Sequence, residues 1–151
     1  MSEQDLLVLG GGITGLAVAR LAARSGWSVT LIERDDLAAG ASSASSHMLH
    51  GGLRYLEHGH FSLVREALAE RAAVAHMAPG LATPVRFLAP LRRGGRVGPL
   101  QLRAGLMLYD LLAGGSSPSP HAMASARQAL ALEPALAPRD LRGAGLYTDL
   151  V

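Results

Sequence analysis

A glycine-rich turn between a strand pattern and a helix pattern constrains the fold of this chain more than any other feature of its sequence. Residues 5–9 form a short apolar run that predicts a buried parallel strand. Small and apolar residues then recur with helical spacing over residues 13–23, and residues 28–33 alternate in the manner of a second strand. The sequence therefore predicts an α/β fold that begins with a Rossmann-like strand–helix–strand unit.

The glycines of the turn have the spacing of a dinucleotide-binding loop. Gly10, Gly12 and Gly15 match the pattern G-x-G-x-x-G directly after the strand and at the start of the helix. The first glycine of such a loop permits the tight turn, the second lets the backbone approach a pyrophosphate, and the third permits close helix–strand packing. Glu33 ends the second strand, where its carboxylate can accept hydrogen bonds from a ribose diol. The loop serves NAD and FAD alike, and a glycine-rich turn without a ligand is the alternative.

The composition excludes several kinds of chemistry. The chain of 151 residues is long enough for one domain, and its 49% of hydrophobic residues is typical of a globular protein. A net charge of +2, spread along the chain, gives no reason to expect a nucleic-acid partner. The absence of cysteine excludes disulfides, thiolate metal sites and cysteine nucleophiles. His58 and His60 have no further ligand at a suitable spacing, so no metal site is expected.

After the first unit the patterns alternate between helices and short strands. Pro79 and Gly80 end one helix pattern, and Pro90 is expected to end a strand pattern. The predicted helices cover residues 62–77, 100–112 and 125–132, the predicted strands 85–89 and 145–148, and the predicted loops 35–46 and 114–120.

The serine-rich loop and the run that follows it point to one family. Residues 36–58 read DLAAGASSASSHMLHGGLRYLEH. This segment strongly resembles the FAD-dependent glycerol-3-phosphate dehydrogenases, respiratory enzymes that pass electrons to quinone and carry a near-identical serine cluster and His-Gly-Gly run. The resemblance is most specific over residues 10–71 and weakens over residues 92–103. It continues through residues 61–71, 77–79, 84–87, 105–110 and 147–149.

The resemblance implies a fold, a reaction and a set of site residues. The implied fold is a truncated FAD-dependent oxidoreductase fold, and the reaction is oxidation of sn-glycerol 3-phosphate to dihydroxyacetone phosphate, with the electrons passed through FAD to quinone. Arg54 would hold the substrate phosphate through its planar fork of donors, and Tyr55 would donate a hydroxyl beside it. The serines would line the flavin pyrophosphate and ribityl chain, and Gly51 and Gly52 would let the backbone lie against the flavin ring. The implied cofactor-binding residues are Gly10, Gly11, Gly12, Ile13, Thr14, Gly15, Glu33, Arg34, Ser42, Ser43, Ser45, Ser46, His47, Leu49, His50, Gly51 and Gly52.

Chains of this family are several times longer, and residues 1–151 resemble their N-terminal part. We therefore expect an unfinished sheet edge, a general base beyond residue 151, and no activity of the chain by itself. Residues 1–58 would form the FAD-binding part, and residues 59–151 a helical segment with the start of the substrate region. The N-terminus has no signal-peptide pattern, and no run reaches roughly 18 apolar residues. The expected location is the cytoplasm, or the cytoplasmic face of the inner membrane for a longer parent.

Two alternatives stay open at this stage. One is a dinucleotide-binding remnant that has lost turnover, and the other is a relative of the FAD-dependent amine and amino-acid oxidases. Arg54 beside Tyr55 favours a phosphate substrate over the second alternative. His47 departs from the glycerol-3-phosphate dehydrogenases, which usually have a lysine at this position.

Overall fold

The structure, a computed structural model, describes residues 4–151, which divide into two compact units. The first unit ends at His47 and the second begins at Met48. The sequence had suggested a division after His58, so the run of residues 50–57 belongs to the second unit rather than the first. Each unit has its own sheet.

The first unit contains the predicted strand–helix–strand motif. Its elements are β1 (Leu6–Leu9), α1 (Ile13–Arg24) and β2 (Val29–Ile32). The two strands pair in parallel, with Leu6 opposite Val29 and Leu9 opposite Ile32. The predicted α/β fold is confirmed for this unit, because a parallel pair requires a crossover and α1 provides it.

The expected burial of the first strand is wrong. Val8 is the one buried residue of β1, Leu9 is 75% exposed, and α1 contains no buried residue. Parallel strands are normally covered on both faces, but the sheet of this unit has two strands within residues 4–47, and each keeps one unpaired edge. The apolar pattern therefore predicted the position of the strand correctly and its burial incorrectly.

The second unit combines helices with an antiparallel sheet. Its first element is a 3-10 helix, Leu53–His58, followed by α2 (Phe61–Met77), β3 (Pro84–Arg92), α3 (Pro99–Ala113), β4 (Ala122–Ser125), α4 (Ala126–Leu132) and β5 (Leu141–Leu150). The sheet order is β3-β5-β4. Val64 and Leu68 of α2 and Tyr109 and Ala113 of α3 form a buried cluster between these two helices.

The three predicted helices of this unit are confirmed, but its strands differ from prediction. β3 continues through Pro90 to Arg92, because β3 is an edge strand and the missing N–H of a proline costs nothing on the unpaired side. β4 was not predicted at all. β5 runs over ten residues where residues 145–148 were expected. Residues 59–151 thus contain a three-stranded sheet beside their helices, with more strand than the sequence predicts.

Two glycines explain why most of β5 was missed. Gly143 and Gly145 have low strand propensity, which interrupts the pattern in the sequence. In the fold they are sites of close approach: a Cβ on Gly143 would lie 2.5 Å from the carbonyl oxygen of Ala124 in β4. A Cβ on Gly145 would lie 2.6 Å from the side chain of Leu106 in α3. The strand is thus built to pack tightly against both neighbours.

Candidate functional site

The glycine loop, residues 10–15, has a backbone that side chains would prevent. Gly10 has a φ of +103°, which favours glycine. A Cβ on Gly15 would lie 2.0 Å from the carbonyl oxygen of Gly10. The helix can therefore approach the turn this closely because residue 15 has no side chain. A Cβ on Gly12 would lie 3.2 Å from the Ser42 hydroxyl. The loop is therefore shaped by the absence of three side chains.

The N-terminus of α1 offers free hydrogen-bond donors. The N–H of Ile13 donates to the Ser42 hydroxyl at 2.9 Å. The N–H groups of Gly12, Thr14 and Gly15 donate to no acceptor within residues 4–151. Together with the partial positive charge at a helix N-terminus, such free donors form a site for a phosphate group. The pyrophosphate of a dinucleotide fits this donor set.

Glu33 has a structural role that sequence reasoning missed. One carboxylate oxygen accepts the N–H of Gly11 at 2.6 Å, and the other accepts the N–H of Arg34 at 2.8 Å and of Asp35 at 3.3 Å. These backbone donors, the N–H of Gly11 first, hold the pKa of Glu33 below its ordinary value. Glu33 thereby ties the end of β2 to the glycine loop. The contact to a ribose stays a prediction, and Arg34 is exposed and paired with Asp35.

The serine cluster divides into residues with different partners. Ser42 reaches the glycine loop as described, whereas the hydroxyl of Ser43 donates to the carbonyls of Ala39 and Gly40. The hydroxyl of Ser45 donates to the carbonyl of Ser42 and accepts the N–H of His47. Ser46 has no hydrogen bond within the described residues. Ser42 is therefore the member of the cluster that the fold connects to the glycine loop.

The residues 49–52 are anchored inside the second unit. Leu49 and Leu150 exchange two backbone hydrogen bonds, at 2.9 and 3.2 Å. The N–H of Gly51 donates to the Tyr109 hydroxyl at 2.8 Å. A Cβ on Gly51 would lie 2.5 Å from the Leu68 side chain, so packing within this unit already requires glycine there.

Gly52 is also explained by its neighbours. It has a φ of +69°, and a Cβ there would lie 2.4 Å from the ring of Tyr55. The predicted approach of a flavin ring to Gly51 and Gly52 stays a prediction. Leu49 and His50, which belong to the same prediction, are half-buried and exposed respectively.

A buried polar network lies behind Gly51. The Tyr109 hydroxyl donates to the Asp149 carboxylate at 2.9 and 3.0 Å, and Arg71 forms an ion pair with Asp149 at 2.6 Å. Arg71 also donates to the carbonyls of Thr148 and Ser116. Tyr109, Arg71 and Asp149 are each at most 2% exposed. Burial in the first place, and the charge of Asp149 in the second, raise the pKa of Tyr109 so that its hydroxyl stays protonated.

Arg54 and Tyr55 lie in the 3-10 helix and line a groove of the second unit. The groove has a volume of about 1130 Å³, and β3, the turn after it, α3 and β5 form its other walls. Both side chains are exposed. His50 and His58, which lie at either side of the two residues in sequence, line the same groove. The predicted substrate residues are therefore brought together at a concave surface.

The groove carries uncompensated positive charge. Arg54 has no ion pair or hydrogen bond with any residue in the described part of the chain. Arg92 donates to the carbonyls of Ala137 and Arg139, and Arg96 pairs with Glu57. Asp149 also lines the groove, but Arg71 already neutralises it. An anionic ligand is therefore favoured over a cationic one.

Residues 4–151 contain no cluster of three potential metal ligands. None of the helices in this range has both the length and the apolar character needed to cross a bilayer.

The comparison with known families agrees with the dinucleotide-binding spacing of the glycine loop. The model of the FAD dependent oxidoreductase family matches residues 5–150. This chain belongs to the FAD dependent oxidoreductase family. FAD is accordingly the cofactor of the family, and the free donors at the N-terminus of α1 fit its pyrophosphate.

Within this family, the chain is similar to individual glycerol-3-phosphate dehydrogenases. It is 41% identical over 145 residues to the glycerol-3-phosphate dehydrogenase of Synechocystis, a match that covers 96% of this chain and 26% of the relative. The solved glycerol-3-phosphate dehydrogenase of Bacillus halodurans, complexed with FAD, is 29% identical with a TM-score of 0.66, over 99% of this chain and 22% of the other. The predicted resemblance to this group is confirmed. The chain spans about a quarter of the length of the relative it matches.

The fold is shared more widely than that group. The L-proline dehydrogenase of P. horikoshii has a TM-score of 0.70 with this chain at 15% identity, over 99% of this chain and 38% of the other. At this level of identity the similarity concerns the fold alone. The substrate must therefore be argued from the groove and its residues.

Proposed function

We propose that this protein contributes to the FAD-dependent oxidation of sn-glycerol 3-phosphate to dihydroxyacetone phosphate. The observation that carries the proposal is Arg54, an exposed guanidinium without an acidic partner in the described residues, at the groove of the second unit. The relatives at 29% and 41% identity named above support the choice of substrate. Bound FAD supplies the oxidising capacity, because it can accept the two electrons that leave C2 of the substrate.

Arg54 suits the phosphate end of this substrate. A guanidinium presents its donors in a planar fork that binds two phosphate oxygens, and it is always charged at physiological pH. Neighbouring cations cannot replace it easily, because Arg96 is engaged by Glu57 and Arg92 by two carbonyls. Tyr55 follows directly in the same 3-10 helix and offers a hydroxyl donor beside the guanidinium. We assign phosphate binding to Arg54 and a supporting contact to Tyr55.

The remaining parts of the proposal concern partners and location. We propose that the electrons pass to quinone, and that the protein works in the cytoplasm or at the cytoplasmic face of the inner membrane. The general base that takes the proton of the C2 hydroxyl is proposed to come from outside residues 4–151. Glu57, the acidic residue of the groove next to Arg54, is already engaged in an ion pair with Arg96.

Replacement of Arg54 by alanine tests the substrate assignment. In the protein produced from the gene that contains this sequence, Arg54→Ala should raise the KM for glycerol 3-phosphate about tenfold to a hundredfold, with flavin content retained. The loss of a charge-assisted hydrogen bond to phosphate costs roughly 1.5–3 kcal/mol. The measurement is steady-state dye reduction at a series of substrate concentrations.

Arg103→Ala is the matched control for this experiment. Arg103 is an exposed arginine of α3 that does not line the groove, so its loss should leave the KM unchanged. Equal KM values for Arg54→Ala and the unaltered protein would contradict the assignment.

An amino-acid substrate is the second candidate, because a guanidinium fork also binds a carboxylate. The same dye assay with proline and glycine as substrates separates the two reactions. Turnover with amino acids and none with glycerol 3-phosphate would favour this candidate. Flavin binding without turnover of any substrate would favour the third possibility, a dinucleotide-binding protein without catalysis.

A further inference from the structure

We propose that Tyr109 is a positioning residue for Arg54, acting through the backbone of Gly51. This inference rests on the proposed function, in which Arg54 binds the substrate phosphate. Tyr109 does not line the groove, and it is 1% exposed. Its hydroxyl accepts the N–H of Gly51, which lies three residues before Arg54. Tyr109 and Gly51 are 58 positions apart in sequence.

The direction of the Tyr109 hydroxyl is determined by its partners. Asp149 forms an ion pair with the guanidinium of Arg71 at 2.6 Å, and a carboxylate in an ion pair accepts hydrogen bonds but does not donate them. The proton of the Tyr109 hydroxyl must therefore point to Asp149. A lone pair of the same oxygen then faces Gly51, where it accepts the buried N–H.

The anchor at Gly51 acts on Arg54 through a short, constrained segment. Gly52 takes a left-handed conformation, and its carbonyl accepts the N–H of Tyr55, which starts the 3-10 helix. Leu53 and Leu56 of that helix pack on the cluster that contains Tyr109. Arg54 thus lies on the exposed side of a 3-10 helix that packs on the cluster with its other side. The segment before this helix is held by the Leu49–Leu150 backbone pair and, next to the helix, by the hydrogen bond from Gly51 to Tyr109.

Loss of the Tyr109 hydroxyl would remove the hydrogen bond that holds Gly51 just before the 3-10 helix. The N–H of Gly51 lies in a buried position, so without the Tyr109 oxygen it must find another acceptor or remain unpaired. An unpaired buried donor is unfavourable, and the backbone of residues 50–52 would move to relieve it. A displacement of about 1 Å in a binding group can change catalysis roughly a hundredfold.

Tyr109→Phe tests the inference in the protein produced from the gene that contains this sequence. The ring and its edge-to-face contact with Tyr147 remain, and the hydroxyl alone is lost. We expect a roughly tenfold or larger rise in the KM for glycerol 3-phosphate, with flavin content and kcat changed far less. In an Arg54→Ala background the same substitution should change the KM little, because the group that it positions is gone.

Leu106→Ala is the control for general destabilisation. Leu106 is fully buried in α3 and belongs neither to the polar network nor to the groove. It should lower the melting temperature at least as much as Tyr109→Phe without a comparable rise in KM. A KM rise of the same size for both variants, or additive KM effects of Tyr109→Phe and Arg54→Ala, would overturn the inference.

A second measurement separates this inference from the proposed function. Hydrogen exchange of the backbone amides of residues 51–56 reports the anchor whatever the substrate is. Tyr109→Phe should accelerate exchange there by roughly tenfold or more beyond any acceleration in Leu106→Ala. Accelerated exchange with no effect of Arg54→Ala on glycerol 3-phosphate would refute the proposed function and leave the anchor standing. Unchanged exchange would refute the anchor.

A double variant extends the test if Tyr109→Phe does not accumulate in folded form. Arg71→Met combined with Asp149→Leu removes both buried charges together, so that neither is left unpaired, and leaves no acceptor for the Tyr109 hydroxyl at residue 149. The hydroxyl proton of Tyr109 is then free to turn away from residue 149. We expect exchange at residues 51–56 to accelerate, and unchanged exchange would again contradict the proposal.

Discussion

At the scale of single residues, Glu33 shows how one side chain can hold the glycine loop in place. Its two oxygens accept three backbone N–H groups, of which that of Gly11 belongs to the glycine loop. The sequence had indicated a ribose contact for Glu33, and that contact remains a prediction. The observed bonds show that Glu33 also shapes the loop before any ligand arrives.

Glu33→Gln should lower the stability of the first unit in a manner that depends on pH. Because the folded-state pKa of Glu33 lies below its ordinary value, its contribution is present above the ordinary pKa of glutamate. The contribution is lost as the pH falls through the lowered folded-state pKa. We expect the difference in melting temperature between Glu33→Gln and the unaltered chain to be largest near neutral pH and to vanish in acid.

Glu70→Gln is the control for this comparison. Glu70 lies exposed on α2 and has no hydrogen bond or ion pair in the described residues. A difference for Glu33→Gln that persists unchanged at acidic pH would show that the charge of Glu33 is not responsible.

At the scale of elements, the meeting of α1 with the end of β1 decides whether the first unit can bind a dinucleotide. The first turn of α1 lies against the Gly10 carbonyl because Gly15 has no side chain. The same approach exposes the free N–H groups of Gly12, Thr14 and Gly15. The absence of a side chain at Gly15 therefore permits both the close packing of α1 on the turn and the exposure of these N–H donors.

Gly15→Ala should destabilise this unit by roughly 1–3 kcal/mol and strongly reduce FAD binding. The added Cβ would lie 2.0 Å from a backbone oxygen, so α1 must move away from the turn. The comparison is Gly105→Ala in α3, where a Cβ would meet no atom within 4 Å. That substitution should stabilise the chain by about 0.4–1 kcal/mol, since alanine restricts the unfolded chain. Denaturant unfolding and flavin titration measure both effects, and normal FAD binding by Gly15→Ala would contradict this view of the loop.

At the scale of the whole molecule, the two units contain different candidate binding groups. The first unit contains the glycine loop, and the second contains the groove with Arg54 and Tyr55. Both groove residues are exposed, whereas hydride transfer relies on a site from which water is excluded. The described residues thus supply binding groups at the groove, but they do not shield Arg54 and Tyr55 from solvent.

The chain of 151 residues, produced by itself, should bind FAD weakly and should not oxidise glycerol 3-phosphate. The glycine loop and Glu33 can hold the phosphate and ribose end of FAD, but the exposed groove gives the substrate no shielded base. Flavin absorbance after purification and dye reduction with glycerol 3-phosphate are the measurements. Robust dye reduction by the isolated chain would show that a base within it has been overlooked.

The local patterns of the sequence were sufficient for the first unit. The loop spacing, the strand before it and the helix after it lie within about thirty residues, so neighbouring positions determine the backbone. Most of β5 was missed because Gly143 and Gly145 weaken the pattern where the fold needs close approach. β4 is only four residues long and was not predicted. The continuation of β3 past Pro90 depends on the strand being at an edge, which is a property of the sheet.

The sequence by itself determined the fold class and the family resemblance, because both follow from residues close together in the chain. It predicted Arg54 and Tyr55 as substrate-binding residues, a role that stays a prediction, whereas the groove that they line is a property of the tertiary structure. The tertiary structure alone decided how residues 49–52 are held. The partners of that anchor, Tyr109 with Gly51 and Arg71 with Asp149, are 58 and 78 positions apart. Hydrogen bonds over such distances in sequence have no period and no fixed spacing, and they exist because α2, α3 and β5 bring these buried side chains together.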